Sequence, residues 1–366
     1  MLKRSIAALP ALSFITAVLM GTVTLFAFPK KNISEAERRP LASAPVLSCK
    51  NVMKGDYFED LDLWTADHFA GRETLRHLRF LFQTGILNEN EYNGFVNHNG
   101  YIISLPKNIN SSSIAYAAER FNAVWERYLK NSGSHIYRTL VPDKSSFAGK
   151  WGYPTIDLDL MDQLYADSLP FAEAISLRDI LSLEDYYYTD SHWRQEKLTP
   201  AAKHILEAMG RDSSLLDGDL ETDSLYPFLG VYAGQSAMDP DPETIYWLKG
   251  GYLNELKAIN LEIRAPLKIY DPEGCDPKDL YTLFLGGGLG LIRIENPDAP
   301  EGQLVIFRDS YASSMAPLLA SAYRTVYLVD MRYAHPDVYG RFIPFENSDV
   351  LFMFSETLMN NSQGIR

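Results

Sequence analysis

The feature that most constrains the fold is a strand–helix–strand pattern near the C-terminal end of the chain. "QLVIF" (303–307) is a short apolar run, "YASSMAPLLASAY" (311–323) has the pattern of a helix despite Pro317, and "TVYLVDMRY" (325–333) is a second apolar run. A strand, a helix and a strand within about thirty residues form a crossover unit, and such units connect parallel strands. The sequence therefore predicts an α/β fold with a parallel sheet and flanking helices.

A serine stands between the first of these strands and the helix, where the chain reads Arg308, Asp309, Ser310. In a sharp turn of this kind the hydroxyl is exposed, and the unpaired N–H groups at the start of the helix favour a developing oxyanion. This position suits the nucleophile of an acyl-transfer enzyme. A second interpretation is structural, with Asp309 or Ser310 capping the helix.

Asp190 and His192 lie one residue apart in the stretch "YYYTDSHW", in a loop that precedes a predicted helix. A serine becomes a strong nucleophile when an imidazole takes its proton and a carboxylate fixes the tautomer of that imidazole. This pair can supply both groups from one loop. Two alternatives stay open: His192 as a polar residue under Trp193, or an Asp-x-His metal site. Of the seven histidines, no other shows ligand spacing with His192, so we expect no metal and no cofactor.

Composition excludes one class of partner. The 366 residues suffice for one large domain or two ordinary ones, and 46% hydrophobic residues with 22% charged ones are typical of a globular protein. The net charge of −13 argues against nucleic acid, because phosphate binding requires clustered lysine and arginine. Cys49 and Cys275 can form at most one disulfide, and the sequence does not show whether they pair.

The N-terminal segment differs from the rest of the chain. Lys3 and Arg4 precede 24 residues without a charge, which as a helix would span about 36 Å and cross a hydrocarbon core of about 30 Å. The basic residues predict that this end stays in the cytoplasm and the remainder is exported. We therefore expect a single-pass membrane anchor at 1–28, or alternatively a cleaved signal peptide that yields a secreted protein. A polar linker at 29–48 and an extracytoplasmic domain at 49–366, beginning with a helical segment, would follow.

Two blocks of the sequence resemble a known family. "YYYTDSHW" (186–193) resembles the defining motif of the DHHW protein family, in which tyrosine and threonine precede Asp-His-His-Trp. The stretch 305–333, beginning "VIFRDSY" and ending "VDMRY", is similar to the second block of that family. Shorter stretches such as "VPDKSSF" and "FLGVY" are also similar, so the resemblance covers nearly the whole exported part. DHHW proteins in turn resemble the SGNH-hydrolase-like domain of alginate O-acetyltransferases, which acetylate a polysaccharide outside the cytoplasmic membrane.

The resemblance implies a triad with Ser310 as nucleophile, His192 as base and Asp190 as its orienting acid. As in the alginate enzymes, the Asp-x-His motif precedes the serine in the chain. Ser191 replaces the first histidine of the DHHW motif, a position outside the triad. In "FLGGGLGLIRI" the chain has Gly288 where the family often has asparagine. If that asparagine holds the oxyanion, its loss would cost about 10²–10³ in rate.

Three further residues are candidates for substrate binding: Tyr311, Arg332 and Trp193. Arg332 follows the second strand, near the carboxyl edge of the sheet where α/β folds bind ligands. The alternative for Arg332 is a buried ion pair that holds the sheet edge.

The function implied by the resemblance is serine-dependent O-acyl transfer, with acetylation of a cell-surface or exported polysaccharide as the expected reaction. A carbohydrate esterase with the same triad, or a catalytically silent glycan-binding or assembly protein, is the alternative. The implied partners are a polysaccharide or oligosaccharide acceptor and a membrane-bound protein that delivers the acyl group, because a single spanning helix cannot carry that group across a bilayer.

Overall fold

The structure is a computed structural model that describes residues 30–106 and 108–366, together with isolated residues between 12 and 27. Its α-helices are Cys49–Lys54 (α1), Asp56–His68 (α2), Arg72–Gly85 (α3), Ser111–Val124 (α4), Leu158–Ser168 (α5), Thr199–Ala208 (α6), Val231–Ser236 (α7), Ala312–Leu319 (α8) and Glu356–Asn360 (α9). Its strands are Ile33–Ser34 (β1), Arg39–Pro40 (β2), Glu91–Tyr92 (β3), Phe95–His98 (β4), Tyr101–Ser104 (β5), His135–Val141 (β6), Glu173–Ala174 (β7), Glu221–Phe228 (β8), Glu243–Lys249 (β9), Lys257–Asn260 (β10), Ala265–Leu267 (β11), Leu291–Glu295 (β12), Gln303–Arg308 (β13), Thr325–Asp330 (β14) and Asp349–Ser355 (β15).

The membrane anchor expected at residues 1–28 lies largely outside the described residues. In the part of the chain that the structure describes, none of the helices combines the length and the apolar character needed to cross a membrane. Both cysteines are free thiols, with Cys49 exposed and Cys275 partly exposed.

The chain forms two compact units. The first comprises residues up to 93 together with 231–239, and the second comprises 94–230 and 240–366. The boundary at residue 93 falls inside the range 49–366 that we expected to be one domain. The expected helical segment is present as α1, α2 and α3, and it belongs to the first unit.

The first unit contains an ion-pair network that includes Glu37 and Arg39, which lie in the stretch 29–48 that we expected to be a linker. Strands β1 and β2 of that stretch pair antiparallel. The Glu37 carboxylate lies 2.6 Å from Arg72, and the Asp67 carboxylate lies 2.6 Å from Arg39. The bond from Arg39 holds the pKa of Asp67 at about 2, well below its usual range. These ion pairs connect Glu37 and Arg39 to the helices α2 and α3.

The second unit is built on an eight-stranded sheet with the order β11-β10-β12-β14-β13-β15-β6-β7. The predicted crossover unit is confirmed, because β13 and β14 are parallel and α8 connects them. The pairs β13–β15, β15–β6 and β6–β7 are also parallel. The remaining pairs, β11–β10, β10–β12 and β12–β14, are antiparallel. The sheet is therefore mostly parallel, and the expectation of a parallel sheet is corrected at one end, where three antiparallel pairs extend it. For β10 and β11, the connection is too short for a crossover.

Helices cover both faces of the sheet. Leu304 and Ile306 of β13 point to one face, where they join the core formed with α6 and α8, and Val305 and Phe307 point to the other, where α4 and α5 pack. A strand buried on both faces reads as a continuous apolar run, as "LVIF" does. The carboxyl ends of β13, β14, β15 and β6 lie at the same sheet edge, so the residues that follow these strands are brought near one another.

Candidate active site

A tight loop carries Asp190 and His192. Tyr187 N–H donates to the carbonyl oxygen of His192 at 3.1 Å, and the residues outside this bond, Tyr186 and Trp193, pair antiparallel. Within the loop, His192 N–H donates to Oδ1 of Asp190 at 3.0 Å. This bond turns the Asp190 side chain back over the loop, as aspartate does in an Asx-turn, so the spacing of the motif itself brings acid and base together.

The two side chains are also bonded to each other. Oδ1 of Asp190 lies 2.6 Å from Nδ1 of His192. The Asp190 side chain is 1% exposed, whereas that of His192 is 13% exposed. A carboxylate accepts hydrogen bonds, so Nδ1 carries the proton and Nε2 is left as an acceptor.

Ser310 lies at that acceptor. Its Oγ is 2.7 Å from Nε2 of His192, although 118 residues separate the two in the sequence. The serine follows β13 at the carboxyl edge of the sheet and precedes α8. The structure thus brings Asp190, His192 and Ser310 into one hydrogen-bonded series whose geometry permits proton transfer from the serine to the imidazole.

Asp309 holds the turn that presents the serine. Its Oδ1 accepts from Tyr311 N–H at 3.0 Å, and its Oδ2 accepts from Ser355 N–H at 2.8 Å. The second bond ties the turn after β13 to the end of the neighbouring strand β15. Of the two residues considered as helix caps, Asp309 is therefore the one whose side chain holds backbone N–H groups, and the Ser310 hydroxyl faces His192.

Tyr281 fixes the plane of the imidazole. Its ring stacks on that of His192 with 3.7 Å between centroids and 9° between planes, and its hydroxyl lies 2.8 Å from Oγ of Ser314. Burial raises the pKa of Tyr281, so the phenol stays neutral. No local sequence pattern points to this residue, because its partners are distant in the chain.

The structure places Trp193 and Tyr311 in the core rather than on a binding surface. Trp193 is fully buried, and its Nε1 donates to the Tyr311 carbonyl oxygen at 3.1 Å and to Oγ of Ser314 at 2.9 Å. Tyr311 is 4% exposed, and its hydroxyl donates to the carbonyl oxygen of Ser191 at 2.7 Å. The expectation that Trp193 contacts substrate is corrected, because a side chain without exposed surface cannot do so. Both aromatic residues instead join the His192 loop to the start of α8.

Arg332 forms the ion pair that was the alternative to substrate binding. Its Nε and its guanidinium NH2 group lie 2.9 Å and 2.7 Å from the two carboxylate oxygens of Asp330, which is fully buried at the end of β14. The same carboxylate lies 3.8 Å from the buried guanidinium of Arg308. Two charge-assisted hydrogen bonds therefore hold the Arg332 guanidinium against the Asp330 carboxylate at the sheet edge.

The loop that contains Gly288 borders this edge. Arg308 donates to the carbonyl oxygen of Leu289 at 3.2 Å and to Oγ of Ser313 at 2.8 Å, which links the loop to the first turn of α8. A Cβ at Gly288 would lie 3.1 Å from both Cζ and Oη of Tyr333. The tyrosine ring thus takes up the space into which a side chain at position 288 would extend.

The sequence pattern of the DHHW protein family matches residues 177–329, which include Asp190, His192 and Ser310. The family resemblance is confirmed. The fold is similar to that of a DHHW family protein from Eubacterium siraeum DSM 15702, at 20% identity and a TM-score of 0.58, over 75% of this chain and 95% of that one. It is also similar to Bacillus cereus PatB1 bearing a sulfonyl adduct, at 19% identity and a TM-score of 0.57, over 72% of this chain and 95% of that one.

A weaker likeness extends to the O-acetyltransferase domain of Pseudomonas putida AlgJ, at 14% identity and a TM-score of 0.43, over 73% of this chain and 92% of that one. Among curated proteins, none is significantly similar in sequence. At these levels of identity, the likeness of this chain to the Eubacterium siraeum protein and to PatB1 shows a shared α/β fold and leaves the activity to be argued from the site.

Proposed function

We propose that this protein is a serine-dependent O-acyltransferase that acetylates a cell-surface or exported polysaccharide. The observation that carries the proposal is the series from Asp190 through His192 to Ser310, with distances of 2.6 Å and 2.7 Å. A carboxylate, an imidazole and a hydroxyl in this order form the constellation that activates a serine for attack on an acyl group. The DHHW match supports the choice of acceptor, because that family resembles polysaccharide O-acetyltransferases of SGNH-hydrolase-like fold.

The proposed reaction has two steps at one serine. Ser310 Oγ attacks the carbonyl of the acyl donor while Nε2 of His192 takes the hydroxyl proton, and the departing donor group then receives that proton. The acyl group is left on Ser310 as an ester. A sugar hydroxyl next gives its proton to His192 and attacks the ester, and Ser310 leaves with the proton from the imidazolium. Asp190 stabilises the imidazolium in both steps.

The setting of the reaction follows from the N-terminal segment. We propose that the apolar stretch within residues 1–28 anchors the chain and that the large domain lies outside the cytoplasm. The acyl group would then come from a membrane-bound protein, and the acceptor would be a glycan at the outer face of that membrane.

A catalytically silent glycan-binding protein is the second candidate, and Gly288 is the observation that favours it. Glycine supplies no side-chain donor at position 288, and the ring of Tyr333 lies 3.1 Å from the point where a Cβ would stand. The retained bond between Ser310 and His192 favours catalysis over this candidate.

A sulfonyl fluoride tests whether Ser310 is activated, because such reagents modify serines that have an adjacent base. We expect phenylmethanesulfonyl fluoride to modify the peptide that contains Ser310 in the full-length chain, and we expect no modification after Ser310→Ala or His192→Ala. Ser224→Ala, at an exposed serine of β8, is the matched control and should react like the wild type. Equal modification of the wild type and His192→Ala would contradict activation by the histidine.

An acceptor assay then separates the remaining possibilities. With p-nitrophenyl acetate as donor, a transferase moves acetyl to an added oligosaccharide, and the acetylated sugar is detected by mass spectrometry. An esterase releases acetate at a rate that the added oligosaccharide does not change. A silent binding protein cleaves the ester no faster than Ser310→Ala does.

A further inference from the structure

A lysine is buried beneath the loop that carries Asp190. Lys144 is fully buried and follows β6 after Pro142 and Asp143, as the first residue of a 3₁₀ turn. Its Nζ donates to the carbonyl oxygens of Tyr187 and Tyr188 at 3.1 Å and 3.2 Å. These carbonyl groups belong to residues that precede Asp190 in the loop, so the ammonium group binds the loop on its buried side.

The burial of this charge requires compensation, because an ammonium group loses its hydration in the protein interior. Burial lowers the pKa of Lys144 to about 8, and three nearby carboxylates oppose that shift: Asp143, Asp190 and Glu243. Lys144 and Asp190 are therefore oppositely charged groups that attract each other in a region of low dielectric constant.

Glu243 holds the same loop from the other side. Its carboxylate accepts from Tyr188 N–H at 2.9 Å, from Thr189 N–H at 2.7 Å and from the Thr189 hydroxyl at 2.6 Å. Glu243 opens β9 and is mostly buried, and burial raises its pKa. The loop before Asp190 thus has its carbonyl groups bonded to a cation and its N–H groups bonded to an anion.

We propose that Lys144 is a positioning residue for the Asp190–His192 pair, which fixes the loop and keeps the Asp190 carboxylate ionised against its burial. The inference rests on the proposed function, because its purpose is to hold the acid that orients the base. It acts through Asp190 and touches neither Ser310 nor a reacting atom.

The charge of Lys144 has an effect of definite sign on the Asp190–His192 pair. Lys144 attracts the Asp190 carboxylate, so its positive charge disfavours the uptake of a proton by the hydrogen-bonded pair. Removal of that charge lets the pair take up a proton at higher pH. The acid limb of a reaction that needs the unprotonated pair therefore moves towards higher pH. The phenols of Tyr281 and Tyr311 also face the histidine, and Asp309 acts electrostatically on Tyr281.

The test is the pH dependence of Ser310 modification by phenylmethanesulfonyl fluoride in the full-length chain. For Lys144→Met we expect the midpoint of the acid limb to rise by about one pH unit, which makes the reaction up to about tenfold slower on that limb than in the wild type. Lys150→Met is the matched control, because Lys150 lies in the same 3₁₀ turn, is exposed and rests on the Trp151 ring. Its midpoint should be that of the wild type.

A lysine with only a structural role would lower the rate equally at every pH and leave the midpoint in place, and this result would overturn the proposal. Proton uptake by the Asp190–His192 pair, followed by NMR, gives the same midpoint without relying on the reactivity of Ser310. An unreactive wild-type serine together with a shifted NMR midpoint would refute the proposed function alone. A reactive serine with an unmoved midpoint would refute the role of Lys144 alone.

A second variant decides the case if thermal unfolding shows that Lys144→Met does not fold. Glu243→Gln keeps an acceptor for the loop and removes one negative charge beside Lys144. Its midpoint should move in the opposite direction, to lower pH, by less than one unit. A midpoint unchanged or raised in Glu243→Gln would overturn the electrostatic account of the loop.

Discussion

Gly230 lies against the backbone of Asp190, and the substitution Gly230→Ala tests how firmly the acid must be held. A Cβ built on Gly230 would lie 2.3 Å from Cβ of Asp190 and 2.4 Å from its Cα and N. Ordinary contacts of a Cβ begin near 3.4 Å, so the loop has to move by about 1 Å or more in a close-packed interior. Because His192 lies in the same loop as Asp190, a displacement of that size lengthens the 2.7 Å bond between His192 and Ser310 beyond hydrogen-bond distance.

We expect two consequences of this displacement. A misplacement of about 1 Å in a catalytic constellation costs about 100-fold in rate, so the modification of Ser310 by phenylmethanesulfonyl fluoride should slow by that order. Overpacking of a full interior costs about 1–3 kcal/mol, so the free energy of unfolding in urea should fall by that amount. The alanine itself is tolerated by the backbone, because Gly230 does not lie in the left-handed region.

Gly364→Ala is the control, since a Cβ there would lie 3.9 Å from Cγ of Arg332, an ordinary contact. The control should keep both the rate and the stability of the wild type. If Gly230→Ala also kept the rate of Ser310 modification and the free energy of unfolding of the wild type, the Asp190 loop would be able to move without loss of stability or activity. That result would refute the reasoning from close packing.

Three further predictions follow from the site and the sheet edge. Because the members of a triad act as a unit, Ser310→Ala, His192→Ala and the double variant should lose nearly the same ester-cleavage activity; additive losses would contradict this. Burial raises the pKa of Glu356 to about 7, so the folded state binds this proton more tightly than the unfolded chain does, and the resulting stability is present at low pH and lost as pH rises through 7. Urea denaturation should show a loss of up to about 3 kcal/mol between pH 5 and pH 8 that Glu356→Gln lacks, and identical slopes would contradict it. Asp330→Asn should destabilise the fold by about 3–5 kcal/mol in urea, because it leaves the buried Arg308 uncompensated, and a neutral effect would refute that account.

The parallel half of the fold could be predicted from the sequence because its signal is local. The strand, helix and strand between Gln303 and Asp330 lie within one short stretch. The two strands that pair, β13 and β14, follow each other along the chain. The antiparallel pairing of β12 with β14 has no such signal, since β13 and α8 lie between these two strands in the chain. Sequence patterns identify single elements, but the order of strands depends on contacts between distant residues.

The same distinction applies to the candidate site. Asp190 and His192 could be placed together because an Asx-turn closes over one intervening residue, and Ser310 could be proposed because the turn after a strand exposes a hydroxyl. Lys144 and Tyr281 could not be found this way. A lysine in the sequence predicts a solvated surface, and only the three-dimensional arrangement shows its ammonium group buried beneath the Asp190 loop.

The correction for Trp193 has a simple geometric cause. Tyr186 and Trp193 pair as extended residues, and neighbouring side chains of an extended backbone point to opposite sides. With His192 directed towards Ser310, Trp193 is directed into the core, where its Nε1 bonds to the Tyr311 carbonyl oxygen. The tryptophan beside the histidine therefore binds the start of the helix that follows the serine. A substitution at Trp193 would therefore change the distance between His192 and Ser310. In this way the aromatic residue of the motif affects the site without contacting substrate.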